Sequence, residues 1–104
     1  MSRYLIRLTD TAEGDLADIW FHIAMEVSED RATRYIRSLQ SALARLEYFP
    51  LSGPPRDHLA VGLRVLVHGS YAAYYQFSGQ EIVIVRVVHG ARDLDALAAG
   101  DGFM

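Results

Sequence analysis

Leu63-Arg64-Val65-Leu66-Val67, Tyr71-Ala72-Ala73-Tyr74-Tyr75-Gln76-Phe77 and Glu81-Ile82-Val83-Ile84-Val85-Arg86-Val87-Val88-His89 are three runs rich in β-branched and aromatic residues. They are separated only by His68-Gly69-Ser70 and Ser78-Gly79-Gln80. Short glycine-containing breaks between such runs make tight reversals, so the stretch reads as two β-hairpins in series, a three-stranded meander. In the middle run Tyr71, Tyr75 and Phe77 fall on one face and Tyr74 on the other, because successive side chains of a strand alternate. Ile82–Val88 is apolar on both faces apart from Arg86, the mark of a central strand that needs cover on each side.

Upstream of the meander the period changes. Phe49-Pro50-Leu51-Ser52-Gly53-Pro54-Pro55 can continue neither helix nor central strand, and a connection hugging the surface is expected to run on to Gly62. Before it, Ala32, Tyr35, Ile36, Leu39, Leu43 and Leu46 recur at helical spacing behind an N-cap at Ser28 and acidic first-turn residues Glu29 and Asp30. Earlier still, Ala12, Leu16, Ile19, Trp20, Ile23 and Val27 form a second such stripe, opened by Asp10 and Glu13 at capping-box spacing. The outer face of that first helix is read as Glu13, Asp15, Asp18, His22 and Glu26. Tyr4, Ile6 and Leu8 alternate with Arg3, Leu5 and Arg7 in the manner of a half-exposed strand. The order is strand, helix, helix, meander: an α+β domain with a helical hairpin on one face of an antiparallel sheet. Counting each element as a reversal makes the first and last strands antiparallel neighbours.

With 104 residues, 51% of them hydrophobic and 22% charged, the chain has the size and composition of one globular domain spanning 1–104, with 93–104 a C-terminal tail. No run is apolar and long enough to span a membrane, and the first residues lack a secretory h-region, which points to the cytoplasm. The net charge of −3 hides a segregation. Residues 1–30 hold 2 Arg and 7 acids, residues 31–92 hold 8 Arg and 3 acids, and residues 93–104 hold 3 acids. All ten bases are arginine, whose planar fork suits carboxylate and phosphate, although the basic middle could equally serve to neutralise the acidic first helix.

A search for chemistry finds little. His22, His58, His68 and His89 lack metal-site spacing, there are no cysteines, and neither a phosphate loop nor a nucleophile elbow is present, so no metal, cofactor or covalent catalysis is expected. Instead, Gly62-Leu63-Arg64, the tyrosine run Tyr71–Tyr75 and Arg86-Val87-Val88-His89-Gly90-Ala91-Arg92-Asp93 carry a resemblance. Together with Ala12, Asp15-Leu16 and Ile19, and with the Pro50–Gly53 turn and Arg56, they make the chain resemble the ParE toxins of the RelE/ParE toxin–antitoxin superfamily.

That resemblance implies the RelE/ParE-like fold and a toxin of a type II module associated with plasmid stabilisation. Such a toxin is neutralised by a ParD-like antitoxin in a hetero-oligomer and causes growth arrest by binding DNA gyrase rather than by catalysis. DNA enters only through the antitoxin. On this reading Arg92, Asp93, Leu94 and Leu97 would contact the target, while Trp20, Arg64, Tyr74 and Arg86 would contact the antitoxin. Two alternatives stand beside it: a RelE-like ribosome-dependent mRNA endonuclease, in which Arg64, Arg86 and His89 would be catalytic, and a non-toxic co-repressor. Arg86 has a structural reading too, as an ion-pair partner of Asp93 or Glu81.

Overall fold

A computed structural model describes residues 3–90. Strand β1 (Leu5–Leu8) leads directly into α1 (Asp10–Glu26) and α2 (Glu29–Ala44), which a 3-10 turn (Arg45–Glu47) closes. The meander follows as β2 (Leu63–His68), β3 (Tyr71–Phe77) and β4 (Glu81–His89). The sheet has the order β1-β4-β3-β2, with both hairpins antiparallel as expected.

The outer pair departs from expectation: β1 runs parallel to β4, Leu5 opposite Glu81 through Leu8 opposite Ile84, so the sheet is mixed. The reason lies in α1, which does not reverse the chain. Contacts climb α1 and β4 together: the Thr9 N–H donates to Ile84 O at 3.0 Å, Asp15 meets Arg86 and Val87, and His22 shares a cleft with His89. The helix therefore continues in the direction of β1, and α2 makes the return, bringing Glu47 O back to the Tyr4 N–H at 2.8 Å.

Helix entry is set by side chains that satisfy free amides. Ser28 caps α2 as expected, its hydroxyl accepting from Arg31 N–H at 3.1 Å. At α1 the cap is Thr9, one residue before Asp10. Its hydroxyl accepts from Ala12 N–H at 3.0 Å and donates to Val85 O at 2.9 Å, tying the helix start to β4.

The main core lies between hairpin and sheet. Ala12 and Ile19 of α1 and Leu39, Leu43 and Leu46 meet Tyr71, Ala73, Tyr75, Ile82, Ile84 and Val87. Burying a side chain such as Leu39 is worth roughly 1.5–3 kcal/mol. The Tyr71–Phe77 alternation thus places Tyr71 and Tyr75 toward the helices and Tyr74 on the far face. There Leu63, Val65, Ala72, Tyr74 and Val88 form a second cluster beneath Leu59 and Ala60. The second cover required by β4 is supplied in part by the chain's own connection. That connection also runs antiparallel along the free edge of β2, with Pro55 bridging Arg64 and Val65 N–H donating to Pro54 O at 3.1 Å.

Candidate functional site: the cleft at the end of β4

β1 pairs with β4 only as far as Ile84, and beyond that point polar groups of α1 occupy the vacated strand edge. The Asp15 carboxylate accepts from Val87 N–H at 2.9 Å, in the place of a neighbouring strand's carbonyl. The same carboxylate takes a two-pronged contact from Arg86, Nε to Oδ2 at 2.8 Å and Nη2 to Oδ1 at 3.1 Å. Arg86 can reach it because β4 is bulged: Tyr74 opposes Arg86 while Tyr75 opposes Ile84, leaving Val85 as the extra residue. A bulge re-aims the side chains beside it. The pair is largely covered, with side chains 22% and 13% exposed.

Two sequence expectations are corrected here. Asp15 does not lie on the solvent face of α1; it faces the sheet. Arg86 pairs with Asp15 and not with Glu81, whose carboxylate is 3.2 Å from Arg7. Asp93 lies outside the described residues. Asp15 lies three residues after Ala12 and four before Ile19, on the flank of the buried stripe of α1, but nothing local to it identifies Arg86 and Val87 as its partners.

Above this pair opens a cleft of about 260 Å³ lined by Asp15, Asp18, Ile19, His22, Tyr71, Arg86 and His89. A neighbouring recess of about 300 Å³ shares His22, Tyr71 and His89 and extends to Glu26, Arg31 and Tyr35. Aromatic rings build the floor. Tyr71 meets His89 edge-on at 5.3 Å and Tyr35 at 5.6 Å, and Tyr35 in turn meets His68 at 5.6 Å. The Tyr35 hydroxyl donates to His68 O at 2.5 Å, and Ser38 Oγ lies 2.6 Å from His68 Nε2. Burial, with Tyr71 alongside, pushes the Tyr35 phenol up to about 12. His89 Nδ1 is buried and has no hydrogen-bond partner among the described residues. The chain leaves the described part at Gly90, beside this cleft, with φ at +39°.

The other named residues lie elsewhere. Arg64, on β2, fixes the Pro50–Gly53 turn by donating from Nη1 to Gly53 O at 2.7 Å and Leu51 O at 3.2 Å. It is separated from Arg86 by the whole of β3. Tyr74 is 1% exposed. Trp20 is half-buried and donates from Nε1 to Thr33 Oγ1 at 3.0 Å, while its neighbour Phe21 points outward. Arg92, Asp93, Leu94 and Leu97 lie outside the described residues. Among the described residues no group of three His, Asp or Glu side chains is arranged to hold a metal ion, and no helix is long and apolar enough to cross a membrane.

The pattern of the family described as "ParE toxin of type II toxin-antitoxin system, parDE" matches residues 6–94. Toxin ParE1 of Mycobacterium tuberculosis is 35% identical over 95 residues, covering 90% of this chain and 95% of the relative. Among solved structures, one titled as the chromosomal ParDE toxin–antitoxin system of P. aeruginosa superposes with a TM-score of 0.75 at 21% identity. The match covers 85% of this chain and 97% of that one, a likeness of fold. The toxin–antitoxin complex RelBE2 of Mycobacterium tuberculosis gives 0.63 at 26% identity, over 88% of this chain and 95% of that one. The family pattern takes in β1, both helices and the whole meander, including the Asp15–Arg86 clamp. This chain belongs to the ParE family of toxins of type II toxin–antitoxin systems.

Proposed function

We propose that the chain arrests growth by binding DNA gyrase, acts without catalysing a reaction, and is held inactive in the cytoplasm by a ParD-like antitoxin. The observation that supports a binding mechanism over an RNA-cleaving one is the fate of Arg64, Arg86 and His89. Arg86 is consumed by Asp15, Arg64 is consumed by the turn carbonyls, and β3 stands between them. General acid–base chemistry needs its groups within hydrogen-bond reach of one reacting centre, and these three do not converge on one. The antitoxin is inferred from likeness to the two toxin–antitoxin structures. For the target we assign the segment that follows Gly90, with Arg92, Asp93, Leu94 and Leu97, because it follows the cleft residue His89 in the chain and mixes charged with apolar side chains. Trp20 and the exposed apolar end of α1, with Phe21 and Met25, are assigned to the antitoxin.

Purified toxin is expected to inhibit gyrase supercoiling or to trap cleaved DNA. Because most interface truncations cost under ~1 kcal/mol, His89→Ala should weaken inhibition by less than about 5-fold. Leu94→Ala with Leu97→Ala should abolish it. A nuclease would behave oppositely, losing ~10²–10⁴-fold on removal of a general acid or base. Normal supercoiling at saturating toxin, with ribosome-dependent mRNA cuts in the same preparation, would overturn the assignment.

A further inference from the structure

Arg31, Arg34 and Arg37 are exposed on α2, and the helical run continues to exposed Arg45. At 3.6 residues per turn these four, with exposed Ser38 and Ser41 between them, fall within a stripe about 120° wide. Asp30 stands at one end of the stripe, and no other acid of α2 falls within it.

The remaining arginines of the described residues are occupied. Arg3 pairs with Glu47, Arg7 with Glu81 and Arg86 with Asp15, while Arg56 and Arg64 hold backbone carbonyls. None of the four in this stripe makes an ion pair within the described residues. No ion pair joins α1 to α2 among those residues, and the acid of α1 nearest the stripe, Glu26, shares a recess with Arg31 at its end. The charge segregation of the sequence therefore survives folding, and it leaves one surface of a molecule of net charge −3 locally cationic.

The character of that surface selects its occupant. Protein interfaces are built around an apolar centre, and the exposed large apolar residues, Phe21, Met25, Phe49, Leu51, Val61 and Val67 among them, all lie off α2. Nucleic-acid interfaces need no such centre; they need donors and positive charge. Guanidinium groups and serine hydroxyls give donors suited to phosphate oxygens. From Arg31 to Arg45 the stripe is about 21 Å long at 1.5 Å per residue, a length over which one strand of a duplex sets a phosphate every ~3.4 Å of axis. Arg31, Arg34, Tyr35 and Ser38 also line a recess of about 260 Å³ within it. We propose that the arginine face of α2 binds the phosphate backbone of duplex DNA directly, a contact independent of the gyrase assignment and not routed through an antitoxin.

The test is fluorescence anisotropy of a labelled 20-base-pair duplex with the full chain between 50 and 200 mM salt. Each phosphate neutralised contributes a slope of about −0.9 in log K against log salt, so four contacts predict a slope of about −3.6 and an affinity on the order of 100-fold lower at 200 mM. Arg31→Gln, Arg34→Gln and Arg37→Gln together should bring the slope to about −1, the contribution left by Arg45, with helicity and melting temperature unchanged. The corresponding Lys variants should retain most of the slope, and so should Arg3→Gln with Arg7→Gln, a control for charge elsewhere. Should the triple variant unfold, Arg34→Gln alone reads the same quantity, its expected loss being about one unit of slope. Absence of binding at 50 mM salt, or an unchanged slope in the Gln variants, would overturn the proposal. So would Gln variants that bind DNA normally but lose affinity for the antitoxin, since the face would then belong to a protein.

Discussion

Gly53 shows how tightly one position can be specified without any unusual backbone. A Cβ there would lie 2.5 Å from Val65 O and 2.6 Å from the Tyr75 hydroxyl, which accepts from Gly53 N–H and donates to Pro50 O, both at 2.9 Å. Gly53→Ala is expected to cost about 1–3 kcal/mol through forced displacement of β2, read as a lower urea midpoint. A midpoint equal to wild type would mean that the turn is not held by Tyr75. Tyr35 makes a prediction in pH. Its phenol stays neutral up to about 12 in the fold, whereas an unfolded chain releases that proton near pH ~10. Between those values the unfolded state binds fewer protons, so stability falls as pH rises through this window. Burial pushes the Tyr74 and Tyr75 phenols up as well, so Tyr35→Phe should flatten the fall only in part. Identical slopes for variant and wild type in urea unfolding at pH 9, 10 and 11 would refute the role given to Tyr35.

At the level of elements, the junction of α1 with β4 carries the most consequence. Asp15 completes a strand edge and anchors Arg86 at once, so Asp15→Ala removes an acceptor from a guanidinium and from an amide together. Because hydrogen bonds to charged groups are worth ~1.5–3 kcal/mol and the pair is largely covered, a loss of about 2–3 kcal/mol is expected. Asp15→Asn, which keeps an acceptor for Val87, should lose less, and a loss under ~0.5 kcal/mol for Asp15→Ala would show that the clamp does not support the fold. This junction is also where reading the sequence ran out. The meander, both helices, the Ser28 cap and the two faces of β3 were legible because each follows from local periodicity or turn chemistry. The parallel sense of β1, the Thr9 cap and the partner of Arg86 were not, since all three depend on which way α1 sets off. A helical wheel reports which residues share a face and says nothing of the axis direction. The cleft was half legible: His89 and Arg86 stood out in the sequence, while Tyr35 and Asp15, paired across long chain separations, did not.

Across the whole molecule, the two layers close on themselves but leave apolar side chains outside. Phe21 and Met25 stand exposed one turn apart near the end of α1 with exposed Val27 just past it, and Phe49, Leu51 and Val67 lie about the far end of α2 and the edge of β2. If an antitoxin covers such surface, it must bind the folded toxin more tightly than the unfolded chain. At free antitoxin near 100 times its dissociation constant the added stability is about 2.7 kcal/mol. For a domain of this size that corresponds to a rise of roughly 10–20 °C in melting temperature, measurable by calorimetry. No shift at that excess would remove the antitoxin from the proposal. The parallel pairing of β1 with β4 bears, finally, on time. Leu5 meets Glu81, so the first strand made has no partner until most of the chain exists. At ~5–20 residues per second of synthesis, the ribosome needs about 4–15 s to bridge that interval. For those seconds β1 waits unpaired, and the four-stranded sheet closes only after β4 has been made.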